Sequence, residues 1–177
     1  MKFSKIALAL GLGMVLVSGA QAAYQDQGHG TIHFTGSIID APCSIDPSSV
    51  DQTIPMGQVS NVALQDGGRS EPVDFSIKLT QCDTSTLDGV TVVFSGSPST
   101  GNADLLGITG SASGASIALI DGSGAPIALG TATKARPIVD GSNELDFAAF
   151  LQGDTGASAT IVPGSFTSVA NFTLSYD

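Results

Sequence analysis

The sequence predicts an all-β protein, a β-sandwich of immunoglobulin type, and two observations support this prediction. Apolar and polar residues alternate in short segments along the chain, which is the pattern of half-buried strands. Glycine-rich turn sequences separate these segments, and no segment shows a sustained 3.6-residue period. The composition agrees, because 22 of the 177 residues are glycine and only 12% are charged. Such a composition is typical of an exported β protein.

Seven segments carry the alternation, and each is expected to form one strand. Their apolar positions face the core, while the polar positions between them face solvent. In chain order, the segments are 32–38, 73–79, 90–94, 115–120, 145–151, 159–161 and 166–176.

Turn sequences rich in Gly, Asp and Asn lie between the predicted strands. They are found at residues 65–68, 87–89, 121–124, 140–143 and 152–154. A short helical turn is expected near residues 61–65 or 104–106, and residues 95–116 are expected to form a long exposed loop. The chain shows no internal repeat and no second globular domain.

The first 22 residues are predicted to be a signal peptide. Lys2 and Lys5 precede an apolar run at residues 6–17, and residues 20–22 (Ala-Gln-Ala) have the small-x-small pattern of a cleavage site. A membrane anchor is the alternative, but a run of about a dozen residues is short against the roughly 20 of a membrane helix. We therefore expect a mature chain without a membrane span.

The sequence contains two cysteines, Cys43 and Cys82. In an exported protein the default for such a pair is a disulfide, which here closes a loop of about 40 residues. A catalytic thiol, which needs a nearby His, and a metal site, which needs closer ligand spacing, are the alternatives.

Charge and motifs exclude several functions. With 6 Lys and Arg against 16 Asp and Glu, the chain lacks the basic footprint that binds nucleic acid. No nucleotide-binding, serine-hydrolase or zinc-protease motif occurs. His29 and His33 would lie roughly 13 Å apart on a strand, which disfavours a metal site, and Glu144 and Asp146 are expected to face solvent. We therefore predict no catalytic residues, no cofactor and no metal.

The mature N-terminus combines a polar, glycine-rich lead at residues 23–30 with the alternating segment 31–40. This segment forms either the first strand of its own sandwich or a strand for another molecule. Gly36 stands inside it, and a glycine within a strand often marks a place where another group approaches closely.

The far end of the sequence alternates up to its final residue. An immunoglobulin-type sandwich needs an edge strand after its sixth strand, and no residues follow to form one. We therefore expect an incomplete sandwich with an open apolar groove and unpaired backbone groups.

Three motifs combine these features. They are residues 31–43 (Thr-Ile-His-Phe-Thr-Gly-Ser-Ile-Ile-Asp-Ala-Pro-Cys), residues 79–83 (Leu-Thr-Gln-Cys-Asp) around the second cysteine, and residues 164–177, where Gly164 is the fourteenth residue from the end and Tyr176 the penultimate one. Together they resemble the pilin subunits of chaperone–usher fimbriae, close to the rod-forming subunits of type 1 and P-type pili. The resemblance covers the whole mature chain.

The resemblance implies an immunoglobulin-like sandwich, residues 41–177, that lacks its last strand. An N-terminal extension, residues 23–40, would be donated to a neighbouring copy. The donated residues would be Ile32, Phe34, Gly36 and Ile38, with Gly36 at a tight pocket. The groove and the C-terminal strand recognised by a chaperone would be formed by Gly164, Phe166, Ala170, Phe172, Leu174 and Tyr176. A Cys43–Cys82 disulfide would staple the start of the sandwich.

The implied partners are further copies of the chain, other pilus subunits, an outer-membrane usher and a periplasmic chaperone whose basic residues would hold the Asp177 carboxylate. The implied location is the cell surface, reached through the periplasm. The implied function is that of a structural subunit of an adhesive fimbria, specifically the major rod subunit, and not an enzyme.

Two alternatives stay open. The first is a minor adaptor pilin of the same family. The second is a secreted carbohydrate-binding β-sandwich that uses residues 30–40 in its own fold. The sequence offers this alternative little for sugar stacking, because it has no Trp and only Tyr24 and Tyr176.

Overall fold

The computed structural model of the protein describes residues 28–155 and 160–177. The chain divides into two compact units, Met1–Ile38 and Ile39–Asp177, each of which is considered by itself. The predicted signal peptide, residues 1–22, and Ala159 of the predicted sixth strand lie outside the described residues.

The larger unit is built of short and long strands with two short helices. The helices are α1 (Pro47–Val50) and a 3-10 helix (Asn61–Gly67). The strands are β1 (Ser44–Ile45), β2 (Val73–Cys82), β3 (Gly89–Gly96), β4 (Leu106–Gly107), β5 (Thr109–Gly110), β6 (Ala115–Asp121), β7 (Pro126–Ile127), β8 (Arg136–Pro137), β9 (Gly141–Gly153), β10 (Phe166–Thr167) and β11 (Ala170–Tyr176).

These strands form two main sheets. The larger has the order β1-β2-β9-β6-β4, with β7 paired to β6, and the smaller has the order β11-β3-β8. A separate pair joins β10 to β5. All of these pairings are antiparallel. The predicted all-β class is confirmed.

The core lies between the two main sheets. Phe147 of β9 meets Phe94 of β3 edge to face, with ring centroids 5.1 Å apart. Phe75 of β2 stacks on Phe147 at 5.7 Å. Leu79 and Val90, from opposite sheets, are completely buried. The predicted apolar positions of β2, β3 and β9 therefore all face the core, while Glu144 and Asp146 face solvent as predicted.

The sandwich has two distinct ends. At the lower end, Cys82 lies opposite Gly141, and Tyr176 lies opposite Val90. At the upper end, Ala115 lies opposite Gly153, and Ala170 lies opposite Gly96. These two ends are called the lower end and the upper end below.

The predicted disulfide is confirmed and fixes the chain at the lower end. Cys43 and Cys82 are bonded, with their Cα atoms 4.1 Å apart. The amide of Asp83 donates a 3.0 Å hydrogen bond to the carbonyl of Pro42. The chain is therefore attached to β2 from Pro42 onward, directly after the segment that the sequence analysis treats as an extension.

Two predictions of local structure are wrong. Residues 95–116 are not a plain exposed loop, because they contain β4 and β5, and Leu106 is buried opposite Ile117. Strands of two residues that each end in glycine give no alternation to detect. The described part of the strand predicted at 159–161 is also not a strand: Thr160 and Ile161 lie outside any strand, and their neighbour Val162 makes an isolated bridge to Ser113.

The helical turn expected near residues 61–65 is confirmed as the 3-10 helix, whose first turn is capped by the Ser60 hydroxyl accepting from the amide of Val62. No helix forms at 104–106. The sequence analysis missed α1, which begins after Asp46. The Asp46 carboxylate accepts a 2.9 Å bond from the amide of Ser48, as N-cap residues do.

We predict that replacing Cys43 and Cys82 by Ser lowers the free energy of unfolding by about 4 kcal/mol. The two cysteines are 39 residues apart, and the disulfide restricts the loop between them in the unfolded chain. Without the bond the unfolded chain gains conformational entropy, so unfolding costs less free energy. Urea unfolding of the monomer measures this loss. Ser44→Ala, in the same β1–β2 pair but exposed, is the matched control and should change little. A loss below about 1 kcal/mol contradicts the prediction.

Candidate functional site: an open groove in the sandwich

One edge of the smaller sheet is open. Strand β11 pairs with β3 along its whole length, from Ala170 opposite Gly96 to Tyr176 opposite Val90. Its other edge has no strand partner among residues 28–155 and 160–177. An unpaired edge of seven residues is a template for an additional strand.

The hydrogen bonds of Asp177 show which backbone groups face this open edge. Asp177 and Gly89 exchange two bonds, of 3.1 and 3.0 Å, so they form a hydrogen-bonded antiparallel pair. Along an antiparallel ladder, hydrogen-bonded pairs alternate with pairs whose amides and carbonyls point away from the partner strand. The amides and carbonyls of Ala170, Phe172, Leu174 and Tyr176 therefore point away from β3, toward the open edge. The side chains of Phe172, Leu174 and Tyr176 are half-buried, because one side of each lacks a neighbour.

A groove of about 1000 Å³ lies beside this edge. One wall is formed by residues 164–172, which include Gly164, Phe166, Ala170 and Phe172. The floor is formed by core residues of both sheets: Phe75, Ile77, Phe94, Leu106, Ile117, Leu119 and Ala149. Phe75 is half-buried at this floor and the other six residues are buried, so the groove reaches down to the core without exposing it.

The opposite wall is an extended segment, residues 51–57, that belongs to no strand. Ile54 and Met56 are half-buried along it, while Thr53, Pro55 and Gly57 are exposed. The sequence analysis missed this wall. The alternation of Ile54 and Met56 across Pro55 was the available signal, but three residues are too few to distinguish a strand from a loop.

The groove continues toward the lower end of the sandwich. A second hollow of about 850 Å³ is lined by Leu174 and Tyr176 on one side and by residues 39–42 on the other. Ile45 lines both hollows. Asp83 also lines it, and hydrogen bonds from the side chain and amide of Ser85 hold the pKa of Asp83 below its ordinary value. Burial raises the pKa of the Tyr176 phenol.

The predicted donor residues lie in the N-terminal unit. None of the described residues from 28 to 40 forms a strand. Ile32 is 77% exposed and Phe34 is 89% exposed, and Ile38 is fully exposed. A Cβ added at Gly36 would meet no other atom within 4 Å. A strand needs a partner to satisfy its backbone groups, and this is the physical reason why the predicted first strand is not formed.

The structure brings together six of the predicted site residues along one groove: Gly164, Phe166, Ala170, Phe172, Leu174 and Tyr176. What this arrangement offers is apolar surface and unpaired backbone groups. The described residues contain no cluster of His, Cys, Asp and Glu that could hold a metal ion. No helix in the described part of the chain is long and apolar enough to cross a membrane.

The fimbrial protein family matches residues 32–177. The chain is 62% identical to the Fimbria A protein of Serratia marcescens and 50% identical to the Major MR/P fimbria protein of Proteus mirabilis (strain HI4320). Each of these alignments covers 99% of both sequences.

Solved structures agree with the sequence relatives. The P pilus rod subunit PapA superposes with a TM-score of 0.70 at 33% identity, over 77% of this chain and all of that chain. A subunit from the structure of a chaperone–usher pilus, described in connection with rod uncoiling, gives a TM-score of 0.75 at 33% identity, over 85% of this chain and 97% of that one.

We predict that filling the groove raises the pKa of Tyr176 further, since added burial disfavours the charged tyrosinate. Tyr24→Phe leaves Tyr176 as the sole tyrosine, so an absorbance titration reports on it directly. The phenol should titrate above the ordinary value in the monomer and higher in the assembled protein. Because burial raises the pKa of the phenol, the neutral phenol favours the folded state. Its contribution to the free energy of unfolding is complete below the ordinary pKa and is lost as the pH rises through the raised pKa. Equal titration before and after assembly contradicts the prediction.

Proposed function

Because the chain belongs to the fimbrial protein family and is a structural component of extracellular pili, we propose that it is a major rod subunit that polymerises by donor-strand exchange. Residues 32–38 of one copy fill the groove of the next. One observation carries this proposal: the same chain holds an unpaired seven-residue edge and an exposed, alternating seven-residue segment.

The two segments match in length and in side-chain pattern. All strand pairings in the described sandwich are antiparallel, so the donated strand runs antiparallel to β11. Its four inward positions then meet the four inward positions of β11. The pairs are Ile32 with Tyr176, Phe34 with Leu174, Gly36 with Phe172, and Ile38 with Ala170.

The backbone groups match in the same register. The amides and carbonyls of Ala170, Phe172, Leu174 and Tyr176 point to the open edge, so all four pairs are of the hydrogen-bonded kind. Each such pair exchanges two bonds, which gives the junction about eight backbone hydrogen bonds. A shift by one residue would turn Phe34 and both isoleucines toward solvent, so the apolar pattern fixes the register.

Burial supplies most of the driving force. Ile32, Phe34 and Ile38 are exposed in the monomer, and burying each contributes about 1.5–3 kcal/mol. The donated strand also covers the exposed part of the half-buried Phe172 and Tyr176 side chains. Both partners of the junction therefore lose an unfavourable exposed surface when it forms.

The contact is between two different surfaces of the same chain, so it does not close on itself. Each copy still has an empty groove or an unused strand after pairing, and repetition gives a filament. This geometry supports a structural role without catalysis.

The same open groove accounts for the need for a periplasmic chaperone and an outer-membrane usher. A monomer with this groove and unpaired edge is prone to aggregate. A chaperone that lends a strand to the groove protects it until an usher exchanges that strand for the extension of the next subunit. The relatives named as major fimbrial proteins favour the rod subunit over an adaptor pilin. The absence of a strand among residues 28–40 disfavours the self-complete carbohydrate-binding sandwich.

We predict that Gly36→Asn reduces polymer by roughly tenfold or more, because overpacking costs about 1–3 kcal/mol at every junction. In the proposed register the new side chain competes with the Phe172 ring for space. Ser37→Asn is the matched control, since position 37 points out of the groove. Electron microscopy and the amount of polymer on denaturing gels measure the effect, and copurification with the chaperone should be unchanged. Normal filaments from Gly36→Asn contradict the role of this segment.

We also predict that deleting residues 23–40, with the signal peptide kept, gives a subunit that accepts a strand but donates none. It should remain bound to the chaperone when expressed on its own. Mixed with full-length subunits, it should shorten the filaments, because a copy without a strand ends the growing chain. Size-exclusion chromatography and filament lengths test this expectation. Self-polymerisation of the shortened chain contradicts it.

A further inference from the structure

Exposed apolar side chains are concentrated at the two ends of the sandwich. Six large ones are exposed among the described residues of the larger unit, and one of them, Val50, lies beside the groove. The other five lie at the ends: Ile39 and Val139 at the lower end, and Val62, Val162 and Val169 at the upper end.

The backbone bonds of these residues support this division. Val139 lies four residues before Asn143 in the turn that leads into β9, next to Gly141 opposite Cys82. Val169 directly precedes Ala170 at the start of β11. Val162 is bonded to Ser113, just before β6. Val62 belongs to the 3-10 helix. Gly68, directly after this helix, accepts a hydrogen bond from the amide of Gly153 at the upper end.

The length of the connection brings opposite ends together in a polymer. In the proposed register, Ile38 of the donor lies at the upper end of the acceptor, opposite Ala170. Pro42 of the donor is held at its own lower end by the amide of Asp83. The four steps from Ile38 to Pro42 span at most about 14 Å. The lower end of one sandwich therefore faces the upper end of the next at short range.

We propose that these two ends form a second interface between consecutive copies, in which Val139 at the lower end packs against the upper-end valines. This inference rests on the proposed function, because donor-strand exchange sets which ends meet. The occupant of each apolar end is a second copy of the chain. The interface is continuous with the groove, since Val169 and Ala170 both line it.

Hydrogen bonds hold the backbone at or next to two of these valines. The Asn143 side chain clamps the backbone of Val139: it accepts from the Val139 amide at 2.9 Å and donates to the Val139 carbonyl at 2.7 Å. Next to Val169, the Ser168 hydroxyl donates a 2.8 Å bond to the carbonyl of Gly107. A surface fixed before binding loses little conformational entropy when it is covered.

Cysteine cross-linking of the full-length polymer tests this interface. Val139→Cys is combined in one chain with Cys at position 62, 162 or 169, and assembled filaments are treated with a short bifunctional maleimide. After heating in detergent, at least one of these pairs should leave a covalent ladder of trimers and larger species. We expect about tenfold more ladder than from the pair Val139→Cys and Thr173→Cys, because tethered neighbours have millimolar effective concentrations. Thr173 is exposed on the outer face of β11, away from both ends.

Each other outcome overturns the interface. Covalent dimers from Val139→Cys without a second new cysteine mean that lower ends face one another. Equal ladders from the Thr173 pair mean that the cross-linking is non-specific. No ladder from any of the three pairs means that the ends are apart. In all of these cases filaments form, so donor-strand exchange stands. A parent chain that forms no filaments instead contradicts the proposed function.

A substitution that adds no cysteine provides an independent measurement. Val139→Asp places a charge at the lower end without touching the groove. Its filaments should form in normal amount but bend more, with a persistence length in electron micrographs reduced by about threefold or more. The reason is that the valine side chain buried in the proposed interface is lost, which weakens the contact between the two ends. Thr173→Asp is the matched control. Unchanged stiffness in the Val139→Asp filaments overturns the proposal.

Discussion

The structure depends on one unsatisfied constraint: the outer edge of β11 has backbone donors and acceptors that no described residue pairs. Beside this edge, a groove reaches down to the core. Phe172, Leu174 and Tyr176 are half-buried for the same reason, and the extended residues 51–57 form a wall without a sheet to belong to. A strand donated by another copy, as proposed, would cover this edge and pair these groups. In the proposed assembly, polymerisation would complete the burial that folding leaves unfinished.

The disulfide and the lower-end hydrogen bond give this process a direction. Cys43 is bonded to β2, and Pro42 is fixed by Asp83, so the N-terminal segment leaves the sandwich at a defined point. The groove wall at residues 164–172 includes Val169, which lies at the opposite end. In the proposed polymer, a short connection between this exit and the groove of the next copy would order successive subunits from end to end. The apolar side chains exposed at both ends would then be covered.

The sequence predicts most of the fold, because long strands with one buried face reveal themselves by alternation. Residues 73–79 and 145–151 are examples, and the cysteine pair follows from export. The two-residue strands β4 and β5 could not be predicted in this way, since so few residues show no period. The groove wall at 51–57 was missed for a related reason: Pro55 interrupts it, and its half-burial exists only because tertiary packing places it beside the opening.

The position of Cys43 has a mechanical consequence. If the filament forms by the proposed donor-strand exchange, stretching it would pass tension from each donated strand into its own sandwich at residue 43. There the disulfide passes the load directly into β2 at Cys82, so the weakly held β1 is not peeled from the sheet. At the other side of each subunit, the pull runs along the axis of the strand inserted beside β11. All hydrogen bonds of that junction are then loaded together in shear, instead of opening one after another.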